Sequence, residues 1–167
     1  EGLAVTSLKP VVDDVRFIVK RAIDIFGASL GLMALSPLLL VIAISIKLTT
    51  QGPVFFTQQR HGRNRRRFRM YKFRTMVHAA EELQPLFEDQ NEVSGPVFKI
   101  KNDPRLTRIG TVLRRTSLDE LPQLINVLKG EMSLVGPRPL PQRDVSRFED
   151  GWLLRRFCVL PGMTGLW

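Results

Sequence analysis

The chain has 167 residues, a length that fits one domain, and carries 25 Lys and Arg against 16 Asp and Glu, a net charge of +9. That balance points to anionic partners: lipid head groups, nucleotide phosphates or nucleic acid. The single cysteine, Cys158, excludes an internal disulfide and fits a reducing compartment.

Residues 1–11 read as a linker or tail. From Val12 to Lys47 the pattern is helical, amphipathic at first and then apolar all round. Ile25 to Ile46 carries no charge, and as a straight helix it would be about 33 Å long, enough to cross a hydrocarbon core of about 30 Å. Ser36-Pro37 lies at its centre. Proline inside a helix removes a backbone hydrogen bond, at a cost of about 3 kcal/mol unless a neighbour satisfies the freed carbonyl. Both flanks are basic, Lys20 and Arg21 before the run, Lys47 and the cluster from Arg60 to Arg69 after it. The orientation rule for a span needs one basic flank and one poor one. A segment that enters the bilayer, bends at Ser36-Pro37 and leaves on the same side satisfies both observations. A kinked single span and a buried helix are the alternatives. The run is too long and too far from the N-terminus for a signal h-region.

Gly52-Pro53 breaks the chain. Pro53 to Gln59 and Phe68 to Phe73 are rich in Val, Phe and Tyr, with Gly62-Arg63-Asn64 as a turn between them, so a hairpin is expected. Lys72 and Arg74 alternate with Tyr71 and Phe73, which would hold both cations on one face of a strand. Ala79 to Asp89 reads as a polar helix interrupted by Pro85, and Val97 to Lys101 as a strand. Asp103-Pro104 is expected to open a helix bearing Leu106, Ile109 and Leu113. Ser117 is expected to open another, with Leu118, Leu121, Leu124, Ile125 and Leu128 on one face and Gly130 as its stop. Ser133 to Pro139 must be a loop, and Gln142 to Arg156 reads as a last helix. The expected fold is α+β, mostly helical with a small sheet.

Ser117-Leu118-Asp119-Glu120 has the pattern of a capping box, Ser at the N-cap and Glu three residues on. The same geometry has a chemical use. A carboxylate held ionised beside a phosphate site can attack phosphorus and form an acyl phosphate. Arg60 to Arg74 is the densest basic stretch and follows the apolar run, so anionic membrane lipids are an expected contact. Phe68, Tyr71 and Phe73 interleave with it, but no nucleic-acid module surrounds them and nucleic acid is not expected as a partner. Arg138 lies in Gly136-Pro137-Arg138-Pro139, where the prolines stiffen the backbone that carries a phosphate-binding guanidinium. His61 and His78 lack a ligand partner at helical spacing, which argues against zinc.

One set of motifs runs in a single order along the chain. It comprises Lys20-Arg21-Ala22-Ile23-Asp24, Ser36-Pro37, Gly52-Pro53-Val54-Phe55-Phe56-Thr57-Gln58-Gln59-Arg60, Tyr71-Lys72-Phe73-Arg74-Thr75-Met76, Leu113 to Gln123, Gly130 to Pro139 and Pro161-Gly162-Met163-Thr164-Gly165. With these motifs the chain resembles the catalytic domain of the bacterial monotopic phosphoglycosyl transferases, from Arg16 to Trp167. The resemblance implies transfer of a sugar-1-phosphate from a UDP-sugar to undecaprenyl phosphate with release of UMP, the first membrane step of exopolysaccharide, capsule or O-antigen synthesis. It implies Mg²⁺ as cofactor. Asp119 would be the nucleophile that carries a covalent phospho-sugar, and Glu120 would bind Mg²⁺. Lys72, Arg74, Arg114, Arg115 and Arg138 would line the phosphate site, and Ser36-Pro37 would be the hinge of a re-entrant helix over residues 12–48. Residues 49–167 would form a catalytic domain on the cytoplasmic face of the bacterial plasma membrane, with homo-oligomers left open. The start at Glu1 and the stop at Trp167, where family members continue, make a longer parent chain the expectation. The alternative function is a non-catalytic basic adaptor at the membrane surface, which would need Asp119 for capping alone.

Overall fold

The computed structural model describes residues 14–77, 79, 80, 82, 83, 85, 87, 100, 103–141 and 151–165. Helix α1 spans Asp14–Thr49, 36 residues or about 54 Å. It runs through Pro37 as one hydrogen-bonded element, so the break expected at Ser36-Pro37 is not a break in the helix. The local reason is visible. Pro37 cannot donate to the carbonyl of Met33, and the Ser36 hydroxyl donates to that carbonyl instead, at 2.8 Å.

Strands β1 (Phe55–His61) and β2 (Arg67–Phe73) form the expected antiparallel hairpin, with Phe55 opposite Phe73 and His61 opposite Arg67. A 3₁₀ turn, Arg63–Arg65, connects them. Helix α2 covers Arg108–Arg115. It starts later than Asp103-Pro104, because Thr107 is its cap: the Thr107 hydroxyl accepts from the Gly110 N–H at 2.9 Å. Asp103 is taken instead by a buried ion pair with Arg105, 2.7 Å from Oδ2 to Nη2. Leu106 lies in a bridge to Met76 outside the helix.

Ser117 is not an N-cap. It sits in the left-handed region (φ 57, ψ 16), makes no side-chain cap bond and ends α2 in the position usually given to glycine. Leu118–Glu120 is a 3₁₀ turn. Pro122 has no N–H to give to Leu118, whose carbonyl takes the Leu121 N–H at 3.3 Å, so helix α3 begins only at Gln123 and runs to Lys129. Gly130 (φ +80) ends it as expected. Its buried face is Gln123, Leu124, Asn126 and Val127, while Leu128, expected inside, is exposed.

The stretch Ser133 to Pro139 is not all loop. Ser133–Val135 forms β3 and pairs in parallel with β4, Gly162–Thr164. Gly136 and Gly162 cross so closely that a Cβ on Gly162 would stand 2.1 Å from the Gly136 nitrogen. Gly151–Cys158, which overlaps the end of the expected last helix and runs past it, is 3₁₀. The rest of that helix, the tail of residues 1–11, most of the strand expected over 97–101 and much of the helix expected over 79–89 lie outside the described residues. At the start of the last of these, Ala79 is left-handed and accepts from Glu82 N–H in a turn.

Two apolar clusters hold these elements, and α1 contributes to both. Ala28 joins Phe68, Met70, Leu124, Val127 and Met132. Ile42 and Ile46 join Phe73 and Leu113. Polar side chains fasten the start of α1 to the same body. Arg21 donates to the carbonyls of Val127 (2.6 Å) and Leu128 (2.9 Å), a cation at the C-terminus of α3. The buried Asp24 accepts from the Leu134 N–H and the Ser133 hydroxyl, both at 3.0 Å. The opposite face of α1 is apolar and bare: Phe26, Met33 and Leu48 are 71%, 74% and 81% exposed. By length and composition α1 could cross a membrane, and exposed apolar surface of that extent marks a lipid or protein contact.

Candidate active site

Strand β2 is fixed on both edges. β1 pairs with one edge and sets Phe56 opposite Lys72. On the other, the fully buried Asn126 stands in for a third strand. Its Oδ1 accepts from the Tyr71 N–H at 3.0 Å, and its Nδ2 donates to the Arg69 carbonyl at 2.7 Å and to Glu131 at 2.6 Å. Both N–H donors of Asn126 and its carbonyl oxygen are thereby engaged, and Lys72 follows the clamped segment directly.

Lys72 reaches both members of the acidic pair. Its Nζ lies 2.6 Å from Glu120 Oε1 and 3.8 Å from Asp119 Oδ2. Successive residues of a 3₁₀ turn diverge by about 120°, so the two carboxylates approach the ammonium from different directions. Asp119 is buried, and burial pushes its carboxyl above the usual range; Glu120 adds to the rise, while Lys72 and Arg114 oppose it. Lys72, Glu120, Gln123, Arg60, Arg138 and Met163 line one cleft.

The other expected phosphate ligands divide. Arg138 is exposed at the cleft, on a loop held by Gly136 N–H to Thr164 O and Gly162 N–H to Pro137 O, both 2.9 Å. Arg114 donates to the Thr75 hydroxyl at 3.0 Å, close enough for its charge to act on Asp119. Arg115 is exposed at the end of α2 and is not among the residues that line the cleft. Arg74 is buried and donates to the carbonyl and hydroxyl of Thr50, just past the end of α1. Its Nε and Nη1 are buried without a hydrogen-bond partner among the described residues, and burial lowers its pKa. Ser36 and Pro37 are on the exposed face of α1, away from this chemistry.

Among the described residues no group of three His, Cys, Asp or Glu is placed to hold a metal. Magnesium needs no such group, since it takes one or two carboxylates and completes its shell with water and substrate phosphate. Glu120 fits that donor set: its side chain is 29% exposed at the cleft and its pairing with Lys72 uses one of its two oxygens. Gln123, Arg60 and Asn126 were not singled out in the sequence as site or support residues. A polar residue inside the apolar stretch Leu124-Ile125-Asn126-Val127-Leu128 was the available signal for the last.

The chain is 45% identical over 150 residues to the galactosyl transferase CpsE of Streptococcus agalactiae, covering 90% of this chain and 33% of that protein. It is 45% identical over 157 residues to the exopolysaccharide production protein PSS of Rhizobium leguminosarum, covering 89% of this chain and 72% of that protein. It is 44% identical over 153 residues to the UDP-glucose:undecaprenyl-phosphate glucose-1-phosphate transferase of Xanthomonas campestris, covering 89% of this chain and 29% of that protein. The chain therefore spans about a third of the length of the first and third of these relatives. Residues 15–167 match the profile of the bacterial sugar transferases, and the chain belongs to that family.

Proposed function

We propose that this chain is the catalytic part of an enzyme that moves a sugar-1-phosphate from a UDP-sugar to undecaprenyl phosphate in exopolysaccharide or related glycan synthesis. The observation that carries the reading is one lysine, Lys72, set against both Asp119 and Glu120, with Lys72 and Glu120 lining a cleft together with Arg60 and Arg138. The Xanthomonas relative is named for this transfer.

In the proposed reaction an Asp119 oxygen attacks the β-phosphorus of the donor. The bond from that phosphorus to the bridging oxygen breaks, and UMP leaves with the electron pair. A phosphate oxygen of undecaprenyl phosphate then attacks the same phosphorus, which frees the Asp119 carboxylate and yields the lipid diphosphate sugar. Lys72, Arg114 and Arg138 offset the charge of the diphosphate. Arg74, whose Nε and Nη1 are buried without a partner among the described residues, and Arg115, exposed at the end of α2, are proposed to add positive charge. Glu120 would hold Mg²⁺, which when bound neutralises phosphate oxygens and favours departure of UMP.

The enzyme is proposed to sit at the cytoplasmic face of the plasma membrane, with α1 inserted from one side as a re-entrant or in-plane helix. The support is that both ends of α1 return to one body, through Arg21 and Asp24 at the start and Ile42 and Ile46 near the end.

The test is a single-turnover assay. UDP-sugar without acceptor should release about one UMP per active enzyme, and kinetics with acceptor should be ping-pong. Asp119→Asn should abolish both the burst and turnover. Full turnover by this variant, or a phospho-sugar adduct trapped on another residue, overturns the assignment.

A further inference from the structure

We propose that the side-chain amide of Gln123 binds a hydroxyl of the donor sugar, and so helps set which UDP-sugar is used. The inference rests on the reading above and names a contact within its cleft.

Gln123 is the first residue of α3, 2% exposed, and lines the cleft beside Lys72, Glu120 and Arg138. No hydrogen bond reaches its side-chain amide among the described residues. The little surface that Gln123 keeps reaches this amide, whose atoms are not among the buried polar atoms left without a partner, so a ligand entering the cleft can take its hydrogen bonds. Its neighbour in the helix shows the contrast. Asn126, also buried, uses its amide on Tyr71, Arg69 and Glu131. Two buried amides three residues apart are thus treated differently, one built into the structure and one left open at the cleft.

The surroundings select the ligand. Phosphate oxygens only accept hydrogen bonds, and Lys72, Arg60 and Arg138 already offer cationic donors there. A hydroxyl both donates and accepts, as does an amide. Glu120, the other acceptor side chain that lines the cleft, gives one oxygen to Lys72 and would give the other to Mg²⁺. Gln123 is therefore the neutral group suited to a sugar hydroxyl.

Gln123→Met, of similar length and unbranched, removes the amide and keeps the packing. Wild type and variant are compared with a panel of UDP-hexoses and, for the best donor, its monodeoxy analogues. The variant should melt no lower than wild type. It should lose about 10- to 100-fold in kcat/KM for the best donor, with an unchanged KM for undecaprenyl phosphate. On the deoxy analogue that lacks the recognised hydroxyl, wild type and variant should be equal. Gln123→Glu, which keeps an acceptor, should retain the fold and show an altered order of donors. A Gln123→Met enzyme with wild-type selectivity and a wild-type UMP burst overturns this inference and leaves the transferase reading intact. A variant that melts well below wild type, or that loses all donors and the acceptor alike, shows a packing role and also overturns it. Loss of the burst in the wild type itself would instead strike the transferase reading.

Discussion

Ionising Asp119 is harder in the folded chain than in the unfolded one, because burial raises its pKa and Lys72 and Arg114 only partly offset the rise. The sign of the resulting pH dependence follows. Well below the ordinary carboxylate range both states are protonated and the group contributes nothing. Between the unfolded and the folded pKa the unfolded chain has released its proton and the folded chain has not. Above the folded pKa both are ionised and the folded state carries the whole penalty. Asp119→Asn should therefore melt higher than wild type at neutral pH. The gap should close as pH falls through the raised pKa, and melting curves at a series of pH values would show it. A variant less stable at neutral pH would mean that Asp119 serves the fold. Activity should rise with pH through the same range, since only the anion attacks. Asp119 and Glu120 were visible in the sequence as an acidic pair, and Lys72 as a cation on a strand. That one lysine joins the pair was not, because Lys72 and Glu120 are 48 positions apart.

At the scale of elements, the site depends on how β2 is gripped. Asn126→Leu should leave a Tyr71 N–H, an Arg69 carbonyl and a Glu131 carboxylate, all partly buried, without their partner, a loss of about 1 to 3 kcal/mol in unfolding free energy. Denaturant unfolding would measure it, with Gln123→Met as the comparison expected to cost little. A loss under about 1 kcal/mol would show that the hairpin alone fixes the strand. The hairpin and the Gly130 stop were legible from local pattern, since turn residues and alternation are local signals. The starts of α2 and α3 were not. A capping-box pattern at Ser117 competes with the need to end α2, and no glycine is available there, so Ser117 takes the left-handed position. The short parallel pair of β3 and β4 joins segments 29 positions apart at Ser133 and Gly162, beyond what alternation can signal.

For the whole molecule, the apolar run was plain in the sequence, but its relation to the rest depends on contacts such as Arg21 to Val127 and Asp24 to Leu134, more than a hundred positions apart. A perpendicular span would carry the body attached along α1 into hydrocarbon, where its backbone and charges would lose water. One-sided insertion should show in labelling with a membrane-impermeant maleimide, in a Cys158→Ser background. Single cysteines at Arg16 and Gln51, both exposed near the two ends of α1, should react from the same face of sealed vesicles. Reaction from opposite faces would establish a span and remove the one-sided reading.

With α1 inserted from one side, as proposed, its bare face would have a mechanical consequence. An object wedged into a single leaflet adds area to that leaflet and none to the other. The mismatch is relieved where the sheet bulges toward the wedge, so residence on the membrane favours strongly curved or loosely packed lipid over flat, tightly packed lipid. Phe26, Met33 and Leu48, the most exposed apolar side chains of that face, would make the enzyme's location in the cell a matter of lipid packing as well as of chemistry.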